Sequence, residues 1–510
     1  MQGNRSLNHI VILGGGTAGW MTAASLGHRY RRSGIRVTLI DSSVIGTIGV
    51  GEATIPTLRA FYHGLGMTDY DVIAATNASC KLGIRFSGWA GEGSRFIHPF
   101  GGFGQDLAAT EFHHVFNAAR GRCDPGPLDD YALGAALAKV GKFALPSPSH
   151  EAWTRFDWAL HFDAGLFAGY MRDFAMKAGV HHIDAVLKQV RLSPLTGFIE
   201  ALALDSGEEV EGDLFIDCSG FQALLIGKAL GVGYEDYSRW LFCDTAVAQQ
   251  SERVAAPDSC TEVMARPAGW QWHIPLQHRS GNGHVYSSAH TTDDEAVRIL
   301  AETLPGKPVA DPRIIRFRPG RRMRAWEKNC VAIGLSSGFL EPLESTSIAL
   351  IQTGIERLQM LLPVDGCDAQ LIDEHNDMAK REFERTRDFI IVHYKLNQRA
   401  DTDFWREAAA MEVPDTVARK MELYRSRGHF VRYRWEMFHP ASWLAIYAGF
   451  GVWPDGIDPA VTQVPEIEAN LSLKSIRDRV AVAVEAAAPH QAFLDHCNRL
   501  ARKARSVQSA

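Results

Sequence analysis

The sequence predicts an α/β fold that opens with a nucleotide-binding βαβ unit and ends in a mainly helical region. Three observations carry this expectation. The apolar run His9–Leu13 leads directly into the glycine loop Gly14-Gly15-Gly16-Thr17-Ala18-Gly19. Two distant apolar runs, 212–220 and 330–335, read as further strands, the first closing on Asp217 and Gly220. After about residue 355, amphipathic helical patterns replace the strand patterns.

Each element has a local reason. The run 9–13 reads as a buried parallel strand, 18–30 has helical spacing, and 36–41 reads as a second strand ending in Asp41. Gly14 permits the tight turn, Gly16 lets backbone approach a pyrophosphate, and Gly19 allows close helix packing. The first helical residues, Thr17 and Ala18, lie at the helix N-terminus, where unpaired N–H groups face phosphate. Asp41, 22 positions after Gly19, is placed to accept hydrogen bonds from a ribose. The strand at 330–335, which ends at Leu335, predicts a return of the chain to the same cofactor. No second dinucleotide fingerprint occurs, so nothing in the chain reads as a separate NAD(P)H site. In the C-terminal region, 371–391 and 473–487 read as amphipathic helices, and 502–510 as a polar, frayed tail.

Composition bounds the function. The 510 residues are 46% hydrophobic and 22% charged, with a net charge of −6, so no basic footprint for nucleic acid exists. No apolar run reaches spanning length, and the N-terminus lacks a secretory h-region, which predicts a cytoplasmic protein without a membrane partner. The eight cysteines are scattered without a C-x-x-C pair and read as free thiols. Neighbouring histidines such as His113-His114 are expected to point to different helix faces, and no metal-ligand spacing appears, so no metal is expected.

Four further segments bear chemistry. Gly49-Val50-Gly51-Glu52-Ala53-Thr54-Ile55-Pro56 suits close backbone approach to a ring system, or is simply a tight loop. Lys81, in Asn77–Phe86, lies among small and apolar residues; it is either a buried amine or a snorkelling surface lysine. Gly269-Trp270-Gln271-Trp272-His273-Ile274-Pro275 sets two indoles at alternating positions before Ile-Pro. In Gly338–Ile348, the run Ser345-Thr346-Ser347 is expected to cap a helix over 348–361 and form an anion site, with Glu344 at the entrance as a dipole partner or a functional carboxylate.

Taken in order, the glycine loop, 51–56, 77–81, 217–221, 270–275 and 339–348 resemble the flavin-dependent tryptophan and indole halogenases. Asp388-Phe389-Ile390 and Asp401-Thr402-Asp403-Phe404-Trp405 are similar to the same family, and the resemblance covers nearly the whole chain. It implies an FAD-binding Rossmann-like module of the two-dinucleotide-binding-domain flavoprotein type with added β-sheet over 1–355. Within it, 98–152 contributes to the substrate site, and a mainly helical substrate subdomain spans 356–510. Gly51, Glu52, Ala53 and Leu335 join Gly14, Gly16, Thr17, Ala18, Gly19 and Asp41 around FAD.

The resemblance also implies the reaction. A separate NAD(P)H-dependent reductase supplies FADH₂, which captures O₂ as a C4a-hydroperoxide. A halide, bromide or chloride, becomes hypohalous acid, which reaches an aromatic substrate. Lys81 matches the lysine that holds it, and Glu344 the nearby glutamate; a cationic donor polarises the halogen while a carboxylate stabilises charge on the ring. Trp270 and Trp272, with Ile274 and Pro275, match the passage that keeps substrate from the flavin. Halide is expected near the amides of Thr346 and Ser347. His98 and Phe100 match the histidine-x-phenylalanine contact to the indole, and Trp443 falls in the region that holds the other end of the substrate. A homodimer is compatible with the family.

Two departures qualify the match. Ser347 replaces the family's usual glycine, which predicts an altered halide pocket. The segment His439–Tyr447 lacks the paired tyrosines expected to clamp free tryptophan, so indole or another electron-rich aromatic is expected to be the better substrate. The rival readings are a flavin-dependent aromatic monooxygenase, in which Lys81 and Glu344 have no evident purpose, and a non-catalytic flavin-binding protein.

Overall fold

A computed structural model describes residues 7–44, 51–107, 110–146, 154–363 and 366–508. Of the segments singled out above, Met1–Ser6, Gly49 and Val50, together with 108–109 and 147–152 from the 98–152 stretch, lie outside the described residues. The strand His9–Leu13 is central in a six-stranded sheet. Arg36–Asp41 pairs parallel with it on one side, with Ile10 opposite Val37, and Leu214–Asp217 pairs parallel on the other, with Ile10 opposite Leu214. Cys330–Ala332 adds parallel to Leu214–Asp217, so three distant stretches of chain build one sheet. All five residues of His9–Leu13 are buried, as a parallel strand covered on both faces requires.

The glycine loop behaves as its spacing predicts. Gly14 has φ +112, and a Cβ there would stand 2.3 Å from the Cys218 carbonyl oxygen. A Cβ on Gly19 would stand 1.8 Å from the Gly14 carbonyl oxygen, so the helix Thr17–Tyr30 can approach the strand only with glycine at that position. That helix buries Trp20, Met21, Ala23, Ala24 and Leu26; each large apolar side chain contributes about 1.5–3 kcal/mol by leaving water.

A seven-stranded sheet holds the indole segment. Its order is Arg313–Arg316, Thr245–Glu252, Arg279–Tyr286, Gly269–Pro275, Cys260–Arg266, Gly83–Ser87 and Arg95–Pro99. Strand alternation places Trp270 and Trp272 on one face, and the register sets Trp272 opposite Gly283. A Cβ on Gly283 would lie 2.1 Å from the Trp272 ring, so the ring lies over the space this glycine leaves open.

Past Met360, every described element is a helix, led by the 27-residue helix Ala369–Lys395. The expected frayed tail is corrected over its described part: helix His490–Gln508 takes in residues 502–508, and 509–510 lie outside the described residues. Its buried stripe Leu494, Cys497 and Ala501 packs that helix inward, which local polarity does not reveal. A second correction concerns His113 and His114. Both sit in the first turn of helix Phe112–Arg120, and their rings lie 4.0 Å apart instead of on separate faces. With Glu111 they bring ligand atoms within 4.8 Å of one another, although His113 Nε2 already meets the Gly428 carbonyl at 2.9 Å. The eight cysteines are free, and no described helix is long and apolar enough to cross a membrane.

Candidate active site

The cofactor loop has room where a dinucleotide would need it. Gly16 precedes helix Thr17–Tyr30 without a side-chain cap, and a Cβ on Gly16 would meet nothing within 4 Å. The first amides of the helix therefore face an open side. Asp41 closes against Gly15, where a Cβ would collide with Asp41 Oδ2 at 1.7 Å, while Asp41 Oδ1 lies 2.6 Å from His182 Nε2. Leu335 sits in the short turn Gly334–Ser336, and a Cβ on Gly334 would stand 2.7 Å from Ala18 Cβ. The later stretch of sequence thus returns to the first loop, and the residues present fit an FAD.

A small three-stranded sheet brings the next two segments together. Strand Ala159–Asp163 pairs antiparallel with Gly51–Ala53 on one edge and with Ser79–Lys81 on the other. Glu52 is half-buried, and the loss of solvation pushes its carboxyl up to about 7. A cavity of about 120 Å³ lies between Gly51, Gln249, Trp272, Gly281 and Asn282.

Lys81 is not a surface lysine. It is completely buried, and its Nζ donates to the Thr54 carbonyl at 3.0 Å and to Ser345 Oγ at 2.7 Å. The ammonium lies 5.2 Å from the centre of the half-buried Phe100 ring. Burial lowers Lys81 to about 7, and the Glu344 charge only partly offsets this. The amine therefore sits near its own titration point at neutral pH.

Glu344 is equally buried, and each of its oxygens has a partner. His98 Nδ1 lies 2.8 Å from Oε2, and His393 Nε2 lies 2.7 Å from Oε1. Burial alone would raise this carboxyl; the two histidines outweigh it and hold Glu344 at about 2. His98 comes from strand Arg95–Pro99 and His393 from helix Ala369–Lys395, so three remote segments meet on one carboxylate.

The run 345–347 does not cap as expected. Thr346 already has helical angles, φ −89 and ψ −12, and its side chain makes no cap bond to helix Ser347–Met360. A capping residue needs extended backbone to turn its oxygen toward the N2 or N3 amide, which Thr346 lacks. Ser345, at φ 59, instead turns its hydroxyl to Lys81. Thr346 Oγ1 is buried without a partner, and Ser347 is half-buried beside it. This loop therefore presents an uncapped helix start and one unspent hydroxyl.

The indole segment is tied to the same loop. Trp270 is fully buried, and its Nε1–H donates to Glu341 Oε2 at 3.1 Å. Tyr394 OH donates to that same oxygen at 2.9 Å, while Glu341 Oε1 is buried without a partner. Burial pushes Glu341 up to about 7 against the pull of these hydrogen bonds. Trp272 is half-buried 6.1 Å from Trp270; Ile274 and Pro275 are buried beyond it.

The substrate expectations divide. His98 and Phe100 flank Lys81 and Glu344, but the described site does not bring Trp443 against His98. Phe389 stands between them, its ring 5.7 Å from His98 and 5.0 Å from Trp443, and stacks on Phe438 at 3.9 Å. Sequence reasoning missed His393, Tyr394, Glu341 and the Ser345 hydroxyl. The first two follow the singled-out Asp388-Phe389-Ile390, but a buried aromatic or histidine on an amphipathic helix reads as core.

The chain resembles known proteins over most of its length. Residues 9–466 match the family model "Tryptophan halogenase". A 7-chloro-L-tryptophan 6-halogenase of Kutzneria sp. (strain 744) is 35% identical over 512 residues, 95% of this chain and 98% of that protein. The solved structure of a flavin-dependent halogenase from Brevundimonas sp. BAL3 superposes with a TM-score of 0.94 at 56% identity, covering 96% of this chain and 99% of that one. Another, from Xanthomonas campestris, gives 0.93 at 44% identity, covering 96% and 98%. The chain is a flavin-dependent halogenase and belongs to the tryptophan halogenase family.

Proposed function

We propose that the protein halogenates an indole or another electron-rich aromatic, using FADH₂ from a separate NAD(P)H-dependent reductase, O₂, and bromide or chloride. Reduced flavin, when bound, would supply together with O₂ the two-electron oxidation of halide to hypohalous acid. The observation that carries this reading is the buried Lys81 amine, held at 3.0 Å and 2.7 Å beside the Phe100 ring and next to a loop that also carries Glu344. Such an amine near neutrality can hydrogen-bond hypohalous acid or take up its halogen, where a fully solvated lysine would stay protonated. Glu344, an ionised carboxylate, stabilises positive charge developing on the attacked ring or accepts its proton. Halide sits at the start of helix Ser347–Met360, near Thr346 and Ser347.

Several features favour an aromatic other than free tryptophan. His98, Phe100, Phe389 and Trp443 offer ring surfaces, while 439–447 lacks the expected tyrosine pair for an amino-acid end. The relatives named as tryptophan halogenases are less similar to this chain than the Brevundimonas enzyme. The test is mass spectrometry of an aromatic panel incubated with the protein, FAD, a reductase, NADH, O₂ and bromide. Brominated indole from wild type and none from Lys81→Ala is the expected result. Hydroxylated products that form without bromide would overturn it in favour of a monooxygenase.

A further inference from the structure

His393 and Glu344 meet in a way that their hydrogen-bonding valences restrict. His393 is completely buried, and both ring nitrogens have partners. Nδ1 lies 2.9 Å from the Phe389 carbonyl, which can only accept, so Nδ1 must carry a hydrogen. Nε2 lies 2.7 Å from Glu344 Oε1. A neutral imidazole with its hydrogen on Nδ1 would present a bare lone pair there, facing a carboxylate oxygen. Two bare acceptors repel at 2.7 Å between side chains this deeply buried, so one proton must lie between them. Phe86, Trp89, Phe389 and Phe450 wall the imidazole ring.

We propose that His393 is a positioning residue for halogenation, holding one proton in common with Glu344 and so fixing the direction and net charge of that carboxyl group. The proton sits on Nε2, as an imidazolium facing the Glu344 carboxylate. The pair as a whole is then neutral. This rests on the halogenase reading of the site, in which Glu344 faces the reacting ring.

The neighbouring groups sharpen the consequence. His98 occupies Oε2, and Lys81 spends its hydrogen bonds on Thr54 and Ser345 instead of pairing with Glu344. The other titratable groups acting on Lys81 are Cys260 and His161, both buried. A neutral His393–Glu344 pair leaves Lys81 without a full opposing charge, which keeps its amine able to lose a proton. It also leaves Oε1 unavailable, so any proton leaving the substrate must be taken on the Oε2 side, where His98 sits.

Two measurements test this. The first is ¹⁵N NMR of histidine-labelled wild type, with the His393 ring assigned by its absence in His393→Gln. Both ring nitrogens protonated, with an ionised Glu344 carboxylate by ¹³C shift, is the expected result. In Glu344→Gln the amide N–H can donate to Nε2, so that nitrogen should become bare. A wild-type ring with a hydrogen on only one of its nitrogens would overturn the neutral pair. This arm needs no turnover, so it stands apart from failure of the aromatic panel. The second is steady-state bromination of an arene the wild type accepts. His393→Phe should lower kcat roughly tenfold to a hundredfold with KM for the arene unmoved, and His393→Gln, which restores an N–H donor, should recover part of that loss. Equal loss in both variants, or a loss confined to KM, would overturn the positioning role.

Discussion

Glu341 shows what burial does to a single residue. Its carboxyl is raised from 4.5 to about 7 because desolvation outweighs the donors Trp270 and Tyr394. The folded protein therefore binds this proton more tightly than the unfolded chain. Its contribution to stability is complete below about pH 4.5 and is lost as pH rises through about 7, amounting to at most about 3 kcal/mol. Glu341→Gln keeps the acceptor for both donors and cannot ionise. Chemical denaturation should give similar stabilities for wild type and variant near about pH 5, with the variant more stable near about pH 8. Parallel curves across that range would show that Glu341 does not titrate there. Glu344, three residues on, moves the opposite way under the same burial, because two histidines face it. Sequence cannot separate these two glutamates. Both stand in the same short loop, and only partners from 98, 270, 393 and 394 divide them.

Helix Ala369–Lys395 is the element that divides them. Consecutive residues of its last turn, His393 and Tyr394, reach Glu344 and Glu341 respectively. One rigid helix end thereby sets both the carboxylate beside Lys81 and the acid that holds Trp270. The amphipathic pattern made this helix legible, and its observed span contains the expected one. Which of its buried residues carry chemistry was not legible, since burial on a helix face follows from packing alone. At the start of helix Ser347–Met360 the reverse happened: the Ser-Thr-Ser run reads as a cap, but helical angles at Thr346 free its hydroxyl. Ser347→Gly should change the bromide-to-chloride product ratio in mixed-halide competition, because it alters the pocket while leaving the backbone donors. An unchanged ratio would remove Ser347 from the halide site.

At the scale of the molecule, the glycine loop and the ordered motifs were legible because their residues act through local backbone geometry. Gly14 and Gly19 are constrained by atoms within the loop or its own sheet. The aromatic wall was legible only in part: Phe389 separates His98 from Trp443 through contacts spanning hundreds of residues of chain. That wall offers ring faces, and the expected tyrosine clamp is missing from 439–447. Steady-state bromination should therefore give a higher kcat/KM for indole than for free tryptophan; the opposite order would mean that an amino-acid site lies elsewhere in the fold.

Gly283 gives the indole pair a different meaning. Trp272 lies flat because the strand across from it withholds a side chain at that register position. The seat of this indole is therefore made by two strands jointly, one supplying the panel and the other the recess beneath it. A chain that kept both tryptophans but filled the recess would carry the signature of this family without its wall.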